Sequence, residues 1–479
     1  MTFDHRATGL FAAATAAALT ATAAQAQNLP PRPSVPTFID PGDALASATR
    51  QRNPHAQPLQ DGPGVRFTSQ TPPSNADEIR FFLNDLQVEG GTIYSPERIA
   101  ELIGDRRGRE VSLVDVFAIA GELQALYRED GYLFTRVVVP AQSIEGGSVR
   151  LEAVEAVLTV VEGEEPDDPV GPVLELAKAI VATLEGLRNP TTDEIENVLL
   201  RLNDIPGITR AAAVPRVGEG ERGAVELYVN MEREAIDITA FVDNRQAPII
   251  GDGRMGVVAA VNSWSPYGDS TTISGFMSAG FDDPFPADFR ERWTVQAEHR
   301  HFLGSSGLNF RARALYSESR PGDIVADFDI TSDQTEVEAL LYYPARRTRA
   351  LSFDLFGGLE IIEINSLTPS PQLPGGAPSP IPDLIVDDRL TVATFGVEAL
   401  QRDPLGYTEG SVEVRRGLDL FGATSAGDEN ISRADGGGEF WLIRGEVERT
   451  LPVTDGWTLW TKAWGQYTEA SLLASEEIT

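Results

Sequence analysis

The sequence predicts an α+β N-terminal part followed by an antiparallel transmembrane β-barrel. Three observations predict this fold: an export leader, two stretches in which helical spacing precedes a pair of strands, and a long run of alternating segments. About eleven strands can be counted in that run, although single-chain bacterial barrels have an even number.

The first residues have the form of a signal peptide. His5 and Arg6 precede an apolar stretch at residues 10–24, and the residues Ala24-Gln25-Ala26 fit a small-x-small cleavage site. Residues 1–26 are therefore expected to direct export. Residues 27–76 are rich in proline and predict a linker, within which residues 40–52 are expected to form a short helix.

Composition excludes several classes of protein. The chain contains no cysteine, which excludes a disulfide scaffold, thiolate metal sites and a cysteine nucleophile. Its net charge of −33 argues against a nucleic-acid partner, because phosphates require clustered Lys and Arg. After the leader, no segment reaches the ~18 apolar residues of a transmembrane helix, so a membrane segment would have to be a closed barrel.

A first mixed module is predicted at residues 77–165. Ser95 before Pro96 is typical of a helix N-terminus, with an N-cap followed by proline at the first helical position. The other predicted elements are strands at 79–83, 134–139 and 149–161 and a helix at 111–128.

A second, smaller module is predicted at residues 169–234. Thr191 and Glu194 have the spacing of a capping box at the start of a helix. Strands are expected at 208–217 and 224–231. Because both modules place helices before two strands, we interpret them as distant repeats of one domain type.

From residue 236 to 479, segments of about ten residues alternate in polarity between Gly, Pro and Asp clusters, which is typical of a transmembrane barrel. Trp293, Val295 and Ala297 alternate with polar residues, as expected for a strand between lipid and water. A soluble β-sandwich also alternates. Aromatic residues near strand ends favour the membrane as candidate girdle residues: Trp264, Tyr267, Tyr342, Tyr343, Trp441, Trp457, Trp460 and Trp464.

No catalytic, cofactor or metal site is predicted. His299 and His301 share one face of a strand, but no carboxylate lies in the same short segment, so a solvated or lumenal pair is the favoured interpretation. Neither Gly-x-Ser-x-Gly nor His-Glu-x-x-His occurs, which argues against an outer-membrane protease or lipase.

Several short motifs resemble the outer-membrane transporters of two-partner secretion, the haemolysin secretion/activation family. The similar residues are Gly131, Tyr132, Arg136, Pro140 and Gln142 in the first module, Pro206 and Gly207 in the second, and Asp243, Asn244 and Arg245 at the start of the barrel. The resemblance covers about residues 77–281, and the later strands match only in pattern.

The resemblance implies two polypeptide-transport-associated (POTRA) domains in the periplasm and a sixteen-stranded outer-membrane barrel. It further implies a monomer that exports one large adhesin-like or haemolysin-like exoprotein. It also implies an N-terminal helix that plugs the pore and a lumenal loop with an Arg-Gly motif. The full Val-Arg-Gly-Tyr/Phe motif of the family and the last strands are absent from the sequence, so a C-terminally truncated transporter is expected. The alternatives are a barrel-assembly insertase and a soluble periplasmic interaction protein.

Strand 208–217 is the candidate binding site for the exoprotein. An exposed strand edge pairs with an extended peptide through main-chain hydrogen bonds and tolerates varied sequence. The candidate residues are Ile208, Thr209, Ala213 and Val214. Proline at Thr209 or Ala213 is expected to weaken binding because it removes a main-chain donor.

Overall fold

The computed structural model describes residues 70–162, 171–218, 221–244, 251, 253–279, 291–322, 328–370, 383–454 and 456–476. They divide between two compact units, one ending at Glu234 and one from Ala235 onward. The expected signal peptide, the 40–52 helix and Arg245 lie outside the described residues.

The first module packs two helices on a three-stranded sheet. Its elements are β1 (Arg80–Phe82), β2 (Asp85–Glu89), α1 (Pro96–Ile103), β3 (Glu110–Ser112), α2 (Leu113–Glu129), β4 (Arg136–Val138) and β5 (Ser148–Val154). The central strand β5 pairs in parallel with β2 and antiparallel with β4. Helix α2 buries Ile119, Leu123 and Tyr127 against Val149 and Leu151 of β5, which forms one apolar core.

Side-chain caps define both helices of this module. The hydroxyl of Ser95 accepts from the Arg98 amide, and Pro96 occupies the first turn of α1, as predicted. Ser112 and Asp115 form a capping box at α2. The helix predicted at 111–128 therefore begins two residues late, because Val111 pairs with Phe81 in a short ladder.

The second module repeats the sheet topology of the first. Its elements are β6 (Val157–Glu162), α3 (Leu174–Val181), α4 (Thr192–Asn203), β7 (Ile208–Val217) and β8 (Ala224–Arg233). The central strand β8 pairs in parallel with β6 and antiparallel with β7. The capping box of Thr191 and Glu194 is present at α4, as predicted.

One predicted strand is wrong. Residues 149–161 form two strands, because the chain leaves the first sheet after Val154 and enters the second at Val157. Glu155 and Ala156 make this crossing. The predicted boundary between the modules, at residues 165–169, therefore lies too late in the chain.

The second compact unit is an antiparallel sheet of eleven strands, each paired with its neighbour in sequence. This confirms the predicted fold class. The strands are β9 (Ile236–Asp243), β10 (Gly253–Asn262), β11 (Ser270–Ala279), β12 (Arg292–Phe302), β13 (Asn309–Ser319), β14 (Thr331–Arg347), β15 (Leu351–Thr368), β16 (Leu384–Asp403), β17 (Gly406–Gly417), β18 (Trp441–Thr454) and β19 (Trp457–Tyr467). No described helix is long and apolar enough to span a membrane.

The sheet has an inner face, which carries Arg313, Glu360 and Arg415, and an outer face, which carries Val295, Leu359 and other exposed apolar residues. On each strand successive residues alternate between the two faces, and the strand registers pair residues that lie on the same face. The girdle prediction is wrong for three residues. Tyr342 lies on the inner face with Glu338, and Trp460 and Trp464 lie on the inner face with Lys462.

Connections of different length alternate along the sheet. Short turns occupy residues 263–269, 303–308, 348–350, 404–405 and 455–456, whereas the longer connections lie at 244–252, 280–291, 320–330, 369–383 and 418–440. In an antiparallel meander the short turns share one end, which is the arrangement of outer-membrane barrels with short periplasmic turns.

Candidate functional site

Strand β7 is an edge strand of the second module. Its ten residues pair with β8 on one side only. At the end of this ladder, the Gly218 amide donates to the Ala224 carbonyl over 2.9 Å. Because antiparallel bonding alternates between residues, the main-chain groups of Ala212 and Val214 point to β8, and those of Ala211 and Ala213 point outward.

Proline at position 215 agrees with this alternation. Pro215 pairs with Leu227 at a position where the main chain points outward, so its missing N–H removes no bond to β8. Among the described residues, no group bonds to the outward amides of Ala211, Ala213 and Val217. The strand therefore presents three donors and the carbonyls beside them.

The candidate residues occupy different positions on this strand. Ile208 is buried, whereas Ala213 and Val214 are partly exposed in the middle of the strand. Thr209 lies at a bulge where the register shifts, and its hydroxyl donates to the Glu232 carbonyl. The alternation therefore assigns an outward amide to Ala213, whereas the bulge interrupts the alternation at Thr209.

Side chains beside the edge form a small amphipathic surface. The guanidinium of Arg216 stacks over the Tyr228 ring at 4.1 Å, and the Tyr228 hydroxyl donates to Glu226. Val214 lies opposite Tyr228 in the register. This face offers an aromatic ring and apolar surface to a strand added beside β7.

The corresponding edge of the first module is occupied. The amide of Val137 in β4 donates to Gln124 Oε1 over 3.1 Å, and the amide of Val139 donates to Gln70 Oε1 over 2.8 Å. These are alternate residues, so both outward amides at this end of β4 have a side-chain partner.

Gln142 has a similar capping role on β5. Its side-chain amide donates to the Arg150 carbonyl and accepts from the Arg150 amide, over 2.7 Å and 2.8 Å. Pro140 and Gln142 also border a groove of ≈ 570 Å³. The groove is lined further by Ile79, Leu113, Phe117, Ile144 and Val149.

Gly131 and Tyr132 connect the two modules. Gly131 has a positive φ of 90°, and its carbonyl accepts from the backbone amide of Thr192 over 2.9 Å and from the Thr192 hydroxyl over 3.0 Å. These bonds satisfy a donor in the first turn of α4. Tyr132 packs edge-on against Tyr127, and Arg136 begins β4.

A carboxylate lies where the chain crosses between the modules. Glu155 accepts from the Thr92 backbone amide over 2.6 Å and from the Thr92 hydroxyl over 2.7 Å. Partial burial raises the pKa of Glu155, but hydrogen bonds from Thr92, Asn189 and Tyr127 outweigh it, so the pKa of this carboxyl is lowered overall. Sequence patterns did not indicate this residue, because its partners are distant along the chain.

The remaining motif residues lie next to strand ends. Gly207 precedes β7 with a positive φ, and its carbonyl accepts from the Glu234 amide over 2.7 Å. It follows Pro206. Asp243 ends β9 and pairs with Arg254 over 2.6 Å, while Asn244 is exposed.

The inner face of the sheet holds a buried ion-pair network. Arg415 bonds to Glu360 and to Glu476, each over 2.7 Å. Glu476 lies in the segment after β19, where Leu472 and Leu473 pack against Ile362 and other residues of the inner face. This segment is therefore held to the sheet by both charge and apolar contact.

Comparison with known proteins gives consistent results. Residues 81–156 match the family model of the ShlB-type POTRA domain. The heme/hemopexin transporter protein HuxB of Haemophilus influenzae (strain 86-028NP) is 24% identical over 253 residues, which are 49% of this chain and 42% of the relative. The chain thus spans less than half the length of the curated relatives it matches.

Two solved structures share the fold. CdiB from Escherichia coli has a TM-score of 0.63 at 18% identity, and the match covers 92% of this chain and 79% of the CdiB chain. CdiB from Acinetobacter baumannii has a TM-score of 0.51 at 12% identity, covering 91% and 77%. The chain therefore contains a domain that matches the ShlB-type POTRA model, is similar in sequence to the HuxB transporters, and shares the fold of CdiB.

Proposed function

We propose that this chain binds an unfolded exoprotein, the client, in the periplasm and passes it outward through the barrel to which its strands belong. The open edge of β7 carries the proposal, because it provides main-chain donors without a described partner. The second module acts as a second POTRA domain in this proposal, and its support is the sheet topology that it shares with the first.

Binding by strand addition suits a client that must later be released. Each main-chain hydrogen bond stabilises a complex by about 0.5–1.5 kcal/mol net, while ordering each client residue costs about 1–2 kcal/mol. The bonds of three outward amides and their carbonyls therefore offset only part of this ordering cost. Contacts with Val214 and Tyr228 must add to them, so binding is weak and reversible. Such binding depends on the main-chain geometry of the client more than on its sequence.

Outward movement needs no nucleotide in this proposal. A client that folds outside the cell cannot return unfolded, so its folding free energy drives transport. The charged inner face, with Arg313, Glu360 and Arg415, is compatible with a hydrated path. The client class is a large secreted protein, adhesin-like or haemolysin-like, and the transporter acts as a monomeric barrel in lipid.

The test removes one outward amide of β7. Ala213→Pro removes the central donor of β7, and Ala213→Ser is the matched control that keeps the amide. The compact unit, residues 54–234, is titrated with the N-terminal domain of an adhesin-like or haemolysin-like exoprotein. We expect at least a roughly tenfold weaker affinity for the proline variant, since about 1.4 kcal/mol corresponds to a factor of ten. Unchanged affinity of a folded Ala213→Pro unit rules out strand addition at this edge.

A further inference from the structure

We propose that Asp269, His299 and His301 form a site for a divalent transition-metal ion such as Zn²⁺. Each residue offers one ligand atom, and these atoms lie within 4.8 Å of one another. The site joins the 263–269 turn to the end of strand β12. It is independent of the client-binding proposal.

The register explains how the three residues meet. His299 and His301 lie two residues apart on β12, so both side chains project from the same face. That face is the outer one, since Glu298 and Arg313 pair on the opposite side. The carboxylate comes from the turn before β11, where Asp269 is only 2% exposed.

Asp269 is held in position by its own turn. Its Oδ1 accepts from the Ser265 amide over 3.0 Å, and its carbonyl accepts from the Ser263 amide over 2.6 Å. A buried carboxylate with one oxygen bonded to an amide keeps lone pairs for a cation. Transfer of such a group from water is unfavourable unless it is paired or coordinates a metal.

The histidines have the neighbours that orient metal ligands. Nδ1 of His299 lies 3.1 Å from Thr271 Oγ1, which also accepts from the Trp264 indole over 3.3 Å. When Nδ1 carries the proton and donates to Thr271, Nε2 has the lone pair that binds a metal. His301 packs against the Tyr267 ring, with centroids 5.0 Å apart.

The ligand types select the class of ion. Two imidazoles and one carboxylate suit Zn²⁺ and its neighbours, whereas Ca²⁺ and Mg²⁺ prefer oxygen alone. Zinc to nitrogen distances of about 2.0–2.1 Å bring tetrahedral ligands closer together than 4.8 Å, so small side-chain rotations must complete the site. Three protein ligands leave the fourth position to water.

A second carboxylate cluster does not compete as a cation site. Glu336, Glu338 and Glu360 also converge, but they lie on the inner face and form ion pairs with Arg313 and Arg415. Their negative charge is thus already paired with guanidinium groups.

The test uses the purified full chain in detergent micelles, freed of metal with a chelator and titrated with ZnCl₂. We expect about one Zn²⁺ per chain by calorimetry, as three protein ligands form one site. His299→Ala/His301→Ala should abolish this binding. The matched control is His55→Ala, which removes a histidine of the N-terminal segment and should leave binding unchanged. Heat-modifiable migration checks that each variant is folded.

A second variant changes Thr271, which does not bind the metal itself but contacts the proposed ligand His299. Thr271→Val keeps the shape of the side chain, removes the partner of His299 Nδ1, and should weaken zinc binding roughly ten- to a hundredfold. Co²⁺ in place of Zn²⁺ should give the visible absorption of a four-coordinate site. Absence of zinc binding by the wild-type chain, or binding undiminished in the double histidine variant, overturns the proposal and leaves two ordinary histidines at a membrane interface.

Discussion

The two modules of the periplasmic unit present the same edge of the same sheet in opposite ways. In the first module, β4 has three residues, and the amides of Val137 and Val139 are occupied by Gln124 and Gln70. In the second, β7 has ten residues and outward amides that no described group occupies. Side chains, and not topology, therefore distinguish a closed edge from an open one.

This difference supports the proposal that the edge of β7 binds the client. An uncovered strand edge is a site for unwanted pairing, and proteins normally cover it. The other edge of the second sheet is covered too, since Leu158 of β6 bonds to the backbone at Leu187 and Gly186, and the Val160 amide donates to Glu185. The proposed binding role would explain why β7 is open beside these covered edges.

The largest expected effect tests the direction of the amides in β7. Ala212→Pro removes an amide that points to β8 and should lower the free energy of unfolding of residues 54–234 by about 2–3 kcal/mol. Ala213→Pro, one residue later, should cost less than about 1 kcal/mol, because its amide has no partner in the sheet. Urea titration measures both. Equal losses would show that the assigned alternation is wrong.

The next effect tests the closed edge. Gln124 is buried, and Gln124→Leu leaves the Val137 amide without its acceptor, which should cost about 2 kcal/mol of unfolding free energy. Gln70→Ala, at an exposed position, serves as the control and should cost less than about 1 kcal/mol. Both variants are also titrated with the client domain. A closed edge that gains client binding when Gln124 is replaced would confirm that this glutamine blocks it.

Local patterns predicted most of the fold. The bounds of β7 are those expected from the sequence, and the capping box at Thr191 correctly marked the start of α4. Eleven alternating segments became eleven strands, because alternation with turn residues is a local property of each strand. Pro215 also carried information about the edge, since proline inside a strand is tolerated where no sheet bond is needed.

These local patterns could not predict contacts between residues that are distant along the chain. Residues 149–161 alternate almost continuously, so nothing local shows that β5 and β6 belong to different sheets. The carboxylate beside His299 comes from Asp269, which only the register of β11 and β12 brings close. The predicted roles of Ile208, Thr209, Ala213 and Val214 in client binding stay predictions.

A smaller effect tests whether the junction between the modules depends on backbone conformation. Gly131 has φ of 90°, and a Cβ there would meet no atom closer than 3.8 Å. Gly131→Ala should therefore cost about 1–2 kcal/mol from backbone strain alone. Gly131→Asn is the control, because asparagine adopts positive φ more readily, and it should cost less. Thermal unfolding of the 54–234 unit measures both, and equal stability of wild type and Gly131→Ala would exclude the strain.

The smallest effect concerns Glu155, where the chain leaves the closed-edge module for the open-edge one. Its folded-state pKa is lowered from 4.5, so ionised Glu155 stabilises the fold above about pH 4.5. That contribution is lost as pH falls through the lowered value. Glu155→Gln should thus cost about 1 kcal/mol at pH 7, a figure reduced for partial exposure, and much less once the pH is below the lowered pKa. Glu152→Gln, which breaks an exposed pair with Arg222, should have little effect at either pH. Unfolding of the 54–234 unit, measured across this pH range, tests the prediction. If the stability lost in Glu155→Gln does not depend on pH, packing causes the loss and the charge of Glu155 does not stabilise the junction between the modules.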